Sequence, residues 1–213
     1  MNGISEMRQS YERGFLDESH VESNAMKQFQ IWFEEARNED ILEPNAMILS
    51  TIGLDGTPES RTVLLKGLDD EGFIFYTNYT SDKAKEIDAN QNVSLLFLWK
   101  KMQRQIRISG KVRKISKERS EAYFHSRPKG SQIGAWVSPQ SQIITDKSML
   151  DRRKEELTEK YKDTDKLPLP DFWGGYVVEP NKMEFWQGRP NRLHDRLRYN
   201  LETGHWRIER VAP

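Results

Sequence analysis

Cysteine is absent from the 213 residues of this chain, and histidine occurs only four times. The lack of thiols excludes disulfides, thiolate metal ligands and cysteine nucleophiles. With so few histidines left as ligands, we expect no bound metal. A chain without cysteine also suits a reducing compartment.

Long apolar runs are missing as well, since no stretch approaches the ~18 apolar residues that span a bilayer, and the first residues are polar. Basic and acidic side chains balance at 33 each. A balanced chain has no global attraction for nucleic acid or for an anionic membrane, so any anion site must be local. We therefore expect a cytoplasmic protein that binds neither.

Several familiar catalytic patterns are not found. The sequence has no glycine-rich phosphate loop between a strand and a helix, no paired-histidine metal spacing and no serine elbow. It offers instead cationic and aromatic side chains at predicted loops and strand ends.

The length suits one domain, and no linker divides it. Residues 1–20 are polar and predict a flexible segment, while residues 21–213 predict a single domain. A helix capped by Ser23 is indicated by an apolar stripe at helical spacing, typical of a face that packs on the core. The stripe consists of Ala25, Phe29, Trp32, Phe33 and Ala36.

Short runs rich in β-branched and aromatic residues predict a mainly β fold with flanking helices. The predicted strands are 47–52, 61–66, 73–77, 93–99, 103–115, 176–179, 182–187, 192–199 and 206–210. Strands 61–66 and 73–77 are expected to form a hairpin with a longer loop. Because short turns connect most strands, we expect a closed or partly closed barrel rather than a parallel sheet.

Three further helices are predicted, at 81–90, 116–124 and about 145–161. The last is highly charged, which is most simply a solvated face. Residues 125–131 are expected to form a loop, because Pro128 and Gly130 punctuate a stretch that also holds two cations and two hydroxyls.

The first candidate site surrounds the predicted strand 61–66, where Arg61 and Lys66 close an apolar run. Side chains alternate along a strand, so one face cannot hold both cations. Arg61, a Tyr-Thr pair in the next strand and Lys83 at a helix start could converge on one anion, because arginine forks and helix N-termini favour phosphate. The alternative, open from this stretch alone, is that these cations are strand-end charges in water.

The second candidate site is a C-terminal run in which Arg192, His194 and Arg196 would share one face of a strand beside Trp186. Three such groups would repel one another in a buried site, so an anion or an electron-rich ring between them is the natural arrangement. Taken alone, His194 is as consistent with a hydrogen-bonded structural histidine as with a catalytic one.

Blocks of sequence in collinear order carry a resemblance to a known family. They are Arg61-Thr62-Val63-Leu64-Leu65-Lys66, Phe75-Tyr76-Thr77-Asn78, Tyr123-Phe124-His125-Ser126-Arg127-Pro128, Ser131-Gln132-Ile133-Gly134-Ala135-Trp136, Phe172-Trp173-Gly174-Gly175, Phe185-Trp186-Gln187 and Arg192-Leu193-His194-Asp195-Arg196. Together they closely resemble the pyridoxine 5'-phosphate oxidase family, also called pyridoxamine 5'-phosphate oxidase. The resemblance runs from about Arg8 to the last residues and so covers nearly the whole chain.

That resemblance implies an FMN-binding split β-barrel that acts as a homodimer, with each active site built from both subunits. It also implies oxidation of pyridoxine or pyridoxamine 5'-phosphate to pyridoxal 5'-phosphate by dioxygen, with release of hydrogen peroxide, and of ammonia from the amine. FMN would supply the redox chemistry, with hydride passing from substrate C4' to flavin N5.

The resemblance also assigns residues. The implied FMN contacts are Arg61, Thr62, Val63, Leu64, Leu65, Lys66, Tyr76, Thr77, Lys83 and Gln105, with Gln140, Ser141, Trp186 and Arg196 expected from the other subunit. The implied substrate contacts are Lys66, Tyr123, Arg127 and Ser131 for the phosphate, Arg192, Leu193 and His194 for the ring, and Arg8 and Tyr11 in an N-terminal lid. Arg192 and His194 would be the catalytic groups, orienting the ring and stabilising charge in transfer, and whether His194 also accepts a proton stays open.

One position departs from the family pattern, because Asp82 precedes Lys83 where the family usually has an arginine. Asp82 either favours the helix dipole and points to solvent, or faces the FMN phosphate and weakens cofactor binding. Two other functional classes stay open: a different split-barrel flavoprotein, such as a flavin-dependent reductase, and a non-catalytic module that binds flavin or pyridoxal phosphate.

Overall fold

The computed structural model describes residues 3–7 and 9–213, and a curled sheet of nine strands forms the centre of this part of the chain. The strands are β1 (Ala46–Ile52), β2 (Pro58–Leu64), β3 (Gly67–Asp69), β4 (Gly72–Asn78), β5 (Asn92–Trp99), β6 (Arg104–Lys114), β7 (Trp173–Gln187), β8 (Asp195–Glu202) and β9 (His205–Arg210). Their order is β2-β1-β5-β6-β7-β4-β3, with β8 paired to β7 and β9 to β8, and these pairings are antiparallel. The predicted mainly β fold is confirmed.

Among the described residues, five α-helices flank the sheet: α1 (Ala25–Asn38), α2 (Asp82–Ala89), α3 (Lys117–Ser126), α4 (Lys129–Val137) and α5 (Ser148–Lys160). The predicted stripe of α1 faces the core, where the ring of Phe29 lies 4.8 Å from that of Phe73 and 5.0 Å from that of Phe97. The cap of α1 is Asn24 rather than Ser23, since the Asn24 side chain accepts from the amides of Met26 and Lys27. No helix in the described ranges is long and apolar enough to cross a membrane.

The prediction that strands 61–66 and 73–77 pair with each other in a hairpin is wrong. Strand β2 ends at Leu64 and pairs with β1, to which a tight turn connects it. The short β3 pairs with β4 instead. Lys66 therefore lies between two strands, with its amide bonded to the carbonyl of Ile74.

The predicted strands 176–179 and 182–187 form one long strand, β7. Its first half pairs with β4 and its second half with β8, while β6 lies along its other edge. A bulge between Ser109 and Gly110 absorbs the change in register, and a Cβ at Gly110 would overlap the carbonyl of Glu179. Glycine is required there because the two backbones come too close for a side chain.

The predicted loop 125–131 is mostly helical. Helix α3 continues to Ser126, and Pro128 precedes α4, which begins at Lys129. The Pro128 carbonyl accepts from the amides of Ser131 and Gln132 and so starts the second helix. Proline thus separates two helices here rather than opening a loop.

Candidate active site

A cleft of about 810 Å³ lies between β2, β4 and the junction of α3 with α4. Most of the residues assigned to the first candidate site and to the substrate phosphate line it. Those residues are Arg61, Thr62, Val63, Leu64, Lys66, Tyr76, Thr77, Lys83, Tyr123, Arg127, Ser131 and Gln140. Leu65 is buried in the main core and is not among the residues that line the cleft.

The first cationic region of this cleft is formed by Arg61 and Lys83. The buried carboxylate of Glu86 accepts a hydrogen bond from the Arg61 guanidinium at 2.8 Å and another from the Thr51 hydroxyl. Arg61 also donates to that hydroxyl. Lys83 is 9% exposed, and its burial, followed by the charge of Arg61, lowers its pKa. Both cations also line a neighbouring cleft of about 490 Å³.

The position of Asp82 on helix α2 sets the direction of its side chain. Its carboxylate is exposed and pairs with Lys85 on the helix surface at 3.2 Å. Buried Lys83 and Glu86 lie three residues apart on the opposite side of the helix. The Asp82 carboxylate is therefore exposed and paired with Lys85, although the residue also lines the neighbouring cleft with Arg61 and Lys83, so its effect on cofactor binding stays a prediction.

Gln140, assigned by the resemblance to the other subunit's site, lies in this chain's own cleft. Its side-chain oxygen accepts from the Thr77 hydroxyl at 3.1 Å and lies 3.5 Å from Nζ of Lys83. Ser141 lies in the neighbouring cleft, with its backbone in the left-handed region at φ 69°.

The second cationic region is formed by Arg127 at the junction of α3 and α4. Its guanidinium lies 4.8 Å from the ring centre of Trp173, and its Nη1 is buried without a hydrogen-bond partner among the described residues. Burial lowers the pKa of Arg127. Gln132 holds the backbone here by donating to the Arg127 carbonyl at 2.8 Å. A buried donor without a partner is costly, so this half-buried guanidinium is suited to an anionic ligand.

Three stacked rings form the wall beside Arg127. The ring centres of Tyr76 and Tyr123 are 3.8 Å apart, and Trp173 stacks on Tyr76 at 5.4 Å. Burial raises the pKa of Tyr76 and of Tyr123, so both phenols stay protonated and able to donate. Trp173 received no role in the sequence analysis, although it lies in a block that carried the resemblance.

A second cluster, which we call the Trp186 cluster, consists of Tyr11, Trp186 and His194. The His194 ring lies 4.6 Å from that of Trp186 and 5.7 Å from that of Tyr11. In the sheet, Trp186 stands opposite Gln105 on one side and Arg196 on the other. Arg196 is held by the buried carboxylate of Glu184, with Nη2 at 2.9 Å.

The predicted strand 192–199 starts too early. Arg192 closes a 3-10 turn, Pro190–Arg192, in which Asn191 and Arg192 have φ of 56° and 63°, and β8 begins only at Asp195. The expected shared strand face of Arg192, His194 and Arg196 is therefore wrong. Arg192 and Leu193 are exposed at the tip of this turn.

His194 is fixed by a backbone donor, since the amide of Arg189 donates to its Nδ1 at 3.1 Å. With Nδ1 accepting, the neutral ring carries its proton on Nε2. Burial and then the charge of Arg192 lower the pKa of His194, against the opposing effect of Asp195. The geometry therefore favours a neutral imidazole that donates from Nε2.

Comparison with known proteins adds to this geometry. A family model described as pyridoxamine 5'-phosphate oxidase matches residues 33–161, and one described as the pyridoxine 5'-phosphate oxidase C-terminal dimerisation region matches residues 173–213. A pyridoxine/pyridoxamine 5'-phosphate oxidase of Salinibacter ruber is 49% identical over 215 residues, covering all of both chains. The chain belongs to the pyridoxine/pyridoxamine 5'-phosphate oxidase family. It is therefore an oxidoreductase.

Other relatives agree with this placement. The oxidase of the same name from Bordetella pertussis is 49% identical, with 99% of each chain covered. PhzG of Burkholderia lata, solved with tetrahydrophenazine-1-carboxylic acid, superposes with a TM-score of 0.89 at 29% identity, covering 96% of this chain and all of that one. An FMN-binding protein of Nostoc punctiforme related to pyridoxamine 5'-phosphate oxidase, at 17% identity and a TM-score of 0.72, covers 90% and 100% and supports the fold. The expected split-barrel fold is confirmed.

Within one chain, this oxidase-family structure keeps its two sets of predicted site residues apart. In the part of the chain that the structure describes, the residues Gln105, Trp186, Arg192, Leu193, His194 and Arg196 do not line the 810 Å³ cleft. Arg8, the other predicted lid residue, lies outside the described residues. Sequence reasoning missed Glu86 and Thr51, which hold Arg61. The three-residue spacing of Lys83 and Glu86 on a helix is the signal that could have identified Glu86.

Proposed function

We propose that this member of the family is an FMN-dependent oxidase that converts pyridoxine 5'-phosphate and pyridoxamine 5'-phosphate to pyridoxal 5'-phosphate with dioxygen. The observation that carries the proposal is a single cleft with two cationic regions. Arg61 and Lys83 lie where the two clefts adjoin, whereas Arg127 lines only the larger one. A flavin mononucleotide and a phosphorylated vitamer bring one phosphate each, which matches two separate regions.

The residues present fit FMN. The buried amine of Lys83 and the anchored guanidinium of Arg61 suit its phosphate, and the first amides of α2 add the donors of a helix N-terminus. The cleft volume falls within the ~300–1,000 Å³ typical of small-molecule sites. When bound, FMN would supply a two-electron acceptor for the substrate C4'–H bond and pass the electrons to dioxygen.

The second region would hold the substrate by its phosphate. Arg127 offers a buried donor that lacks an acceptor among the described residues, and Tyr123 and Ser131 line the same region. Holding the phosphate fixes the substrate ring relative to the cofactor, which lowers the entropy lost on reaching the transition state. The substrate phosphate would also supply the negatively charged partner that Arg127 Nη1 lacks among the described residues.

The groups assigned to the substrate ring would come from a second copy of the chain. Support for this is that Arg192, Leu193 and His194 do not line the cleft of their own chain, in the ranges that the structure describes. The matched dimerisation region, residues 173–213, contains all three. In this arrangement Arg192 stabilises charge during transfer, and His194 donates from Nε2 and orients the ring.

The chemistry is tested by adding phosphorylated vitamers to the purified, FMN-loaded protein without oxygen. We expect pyridoxine and pyridoxamine 5'-phosphates to bleach the flavin and air to restore its colour with release of hydrogen peroxide. Unphosphorylated vitamers serve as the matched control. Bleaching by tetrahydrophenazine-1-carboxylic acid alone would assign the chain to the activity class of the PhzG relative, and no bleaching at all would indicate a binding module.

The shared site is tested by mixing two inactive variants, Lys83→Met and Arg196→Met, after dissociation and reassociation. If each site uses Lys83 of one chain and Arg196 of the other, a mixed dimer contains one intact site. Equal mixing should then restore about a quarter of the wild-type sites. Persistent inactivity of the mixture, with mixed dimers shown by mass spectrometry, would contradict the shared site, as would an FMN-loaded monomer in sedimentation.

A further inference from the structure

One side chain, Arg189, connects the N-terminal segment to the turn that precedes β8. Its Nη1 donates to the carbonyl of Gly14 at 2.6 Å, and its Nε lies 3.4 Å from Oδ2 of Asp195. The same Asp195 oxygen accepts from the amide of Leu16 at 3.1 Å. The guanidinium and its carboxylate partner therefore bind two points of one segment.

The backbone of Arg189 faces the Trp186 cluster. Its amide holds Nδ1 of His194, as described above. The neighbouring Gly188 is fixed by a bond from its amide to the Gln103 carbonyl at 2.8 Å, and Pro190 begins the following turn. Arg189 thus binds His194 through its main chain and the N-terminal segment through its side chain.

The segment held by Arg189 carries Tyr11 onto the same cluster. The Tyr11 ring lies 5.9 Å from that of Trp186, and a Cβ at Gly188 would come within 2.9 Å of Cγ of Tyr11. The side-chain oxygen of Gln103 accepts from the amides of Glu12 and Arg13. The side-chain nitrogen of Gln103 donates to the Ser10 carbonyl at 3.4 Å, so Tyr11 is held between anchors on both sides.

We propose that Arg189 is a positioning residue, which keeps Tyr11 beside His194 by tying the N-terminal segment to the turn. This inference rests on the proposed function, in which both rings meet the vitamer. An exposed ion pair alone would contribute little. Here the acceptors include the main-chain carbonyl of Gly14, so loss of the guanidinium frees the segment at Gly14 as well as removing a charge.

The test compares Arg189→Gln and Arg189→Lys with wild type and with Arg37→Gln. Arg37 pairs with Glu34 on the surface of α1 and serves as the matched arginine. The first readout is tryptic cleavage of the Arg13–Gly14 bond, followed by mass spectrometry, because release of Gly14 exposes that bond. We expect Arg189→Gln to speed this cleavage about tenfold, with Arg189→Lys intermediate and Arg37→Gln unchanged.

The second readout is steady-state kinetics on FMN-saturated enzyme. Arg189→Gln should raise KM for pyridoxine 5'-phosphate about tenfold with kcat within about twofold and FMN affinity unchanged. In a Tyr11→Ala background the same substitution should have little further effect, because both changes act through one segment. If Arg189 only stabilised the fold, Arg189→Gln would lower Tm and FMN content and leave KM unchanged.

The proposal is overturned if Arg189→Gln leaves both the cleavage rate and KM at wild-type values. It is also overturned if the effects of Arg189→Gln and Tyr11→Ala on KM multiply in the double variant. Failure of the proposed function is recognised separately, because the wild-type protein would then oxidise no phosphorylated vitamer. The cleavage comparison still decides in that case whether Arg189 holds the segment.

Discussion

Replacing Arg127 with methionine should have opposite effects on stability and on substrate binding. The buried Nη1 lacks a partner among the described residues, and a buried unsatisfied donor costs about 1–3 kcal/mol. Methionine is apolar, flexible and of similar length, so it can fill the space against Trp173. Loss of the contact between the guanidinium and the Trp173 ring removes about 0.5–1 kcal/mol of stabilisation.

The balance is a gain of about 1 kcal/mol in the free energy of unfolding, or a rise in Tm of about 2–4 °C for a chain of this size. Substrate binding should change in the other direction. Removing one member of a buried charged pair costs about 2–5 kcal/mol, which would raise KM by roughly 30-fold to several thousand-fold. The value of kcat should change little, because the phosphate is remote from the bond that breaks.

The measurements are calorimetry of the FMN-loaded protein without substrate and steady-state kinetics with pyridoxine 5'-phosphate. Arg119→Met is the matched control, because Arg119 lies on the same helix α3 but is already paired with Asp69 and Glu71. It should leave KM unchanged and should not raise Tm. A lower Tm for Arg127→Met, or an unchanged KM, would refute the reasoning.

Three further predictions concern other parts of the molecule. Arg192→Ala should lower the rate constant of flavin reduction at least about tenfold in anaerobic single-turnover bleaching, and a steady-state change in KM alone would contradict its proposed place at the reacting centre. Because burial and Arg61 lower the pKa of Lys83 below 10.5, the unfolded chain binds more protons than the folded one between that lowered pKa and 10.5. The stability of the FMN-free protein should therefore rise with pH in that window, as measured by urea unfolding, and Lys83→Met should not show this contribution. Gly110→Ala should destabilise the fold by about 1–3 kcal/mol in urea unfolding, because its Cβ would overlap the Glu179 carbonyl. The control Gly130→Ala places its Cβ in open space and should not destabilise the fold. Equal stability of the two variants would contradict the tight approach of β6 and β7.

Local patterns in the sequence determined most elements of the fold. A nearly continuous apolar run identified β5 and the alternation of polar and apolar residues identified β6, each within one residue at both ends, and the apolar stripe identified α1. These patterns report which face of a segment is buried, and burial of one face is a local property of strands and helices. The blocks around Arg61, Arg127 and His194 pointed to the family, which the comparisons confirm.

Strand partners and backbone turns were decided only by the tertiary structure. Periodicity does not specify which strand pairs with which, so the sequence joined 61–66 to 73–77 although β2 pairs with β1. The left-handed turn at Asn191 and Arg192 interrupts a run that was predicted to be a continuous strand; the Arg189–His194 hydrogen bond closes this turn, and the Arg189 side chain ties it to the distant Gly14. Local propensity is overridden there by tertiary contacts.

The sequence by itself identified the candidate side chains for the proposed chemistry, and the folded chain determined which of them meet. Arg61 and Lys83 lie on different elements, and only the packing of α2 against β1, which pairs with β2, brings them together with Glu86. Arg127 and His194 both carry the family pattern, yet in one chain they lie apart, one in the cleft and the other in the Trp186 cluster. The physical reason is that residue types record chemical capacity, whereas proximity depends on long-range pairing, which no local stretch of sequence encodes.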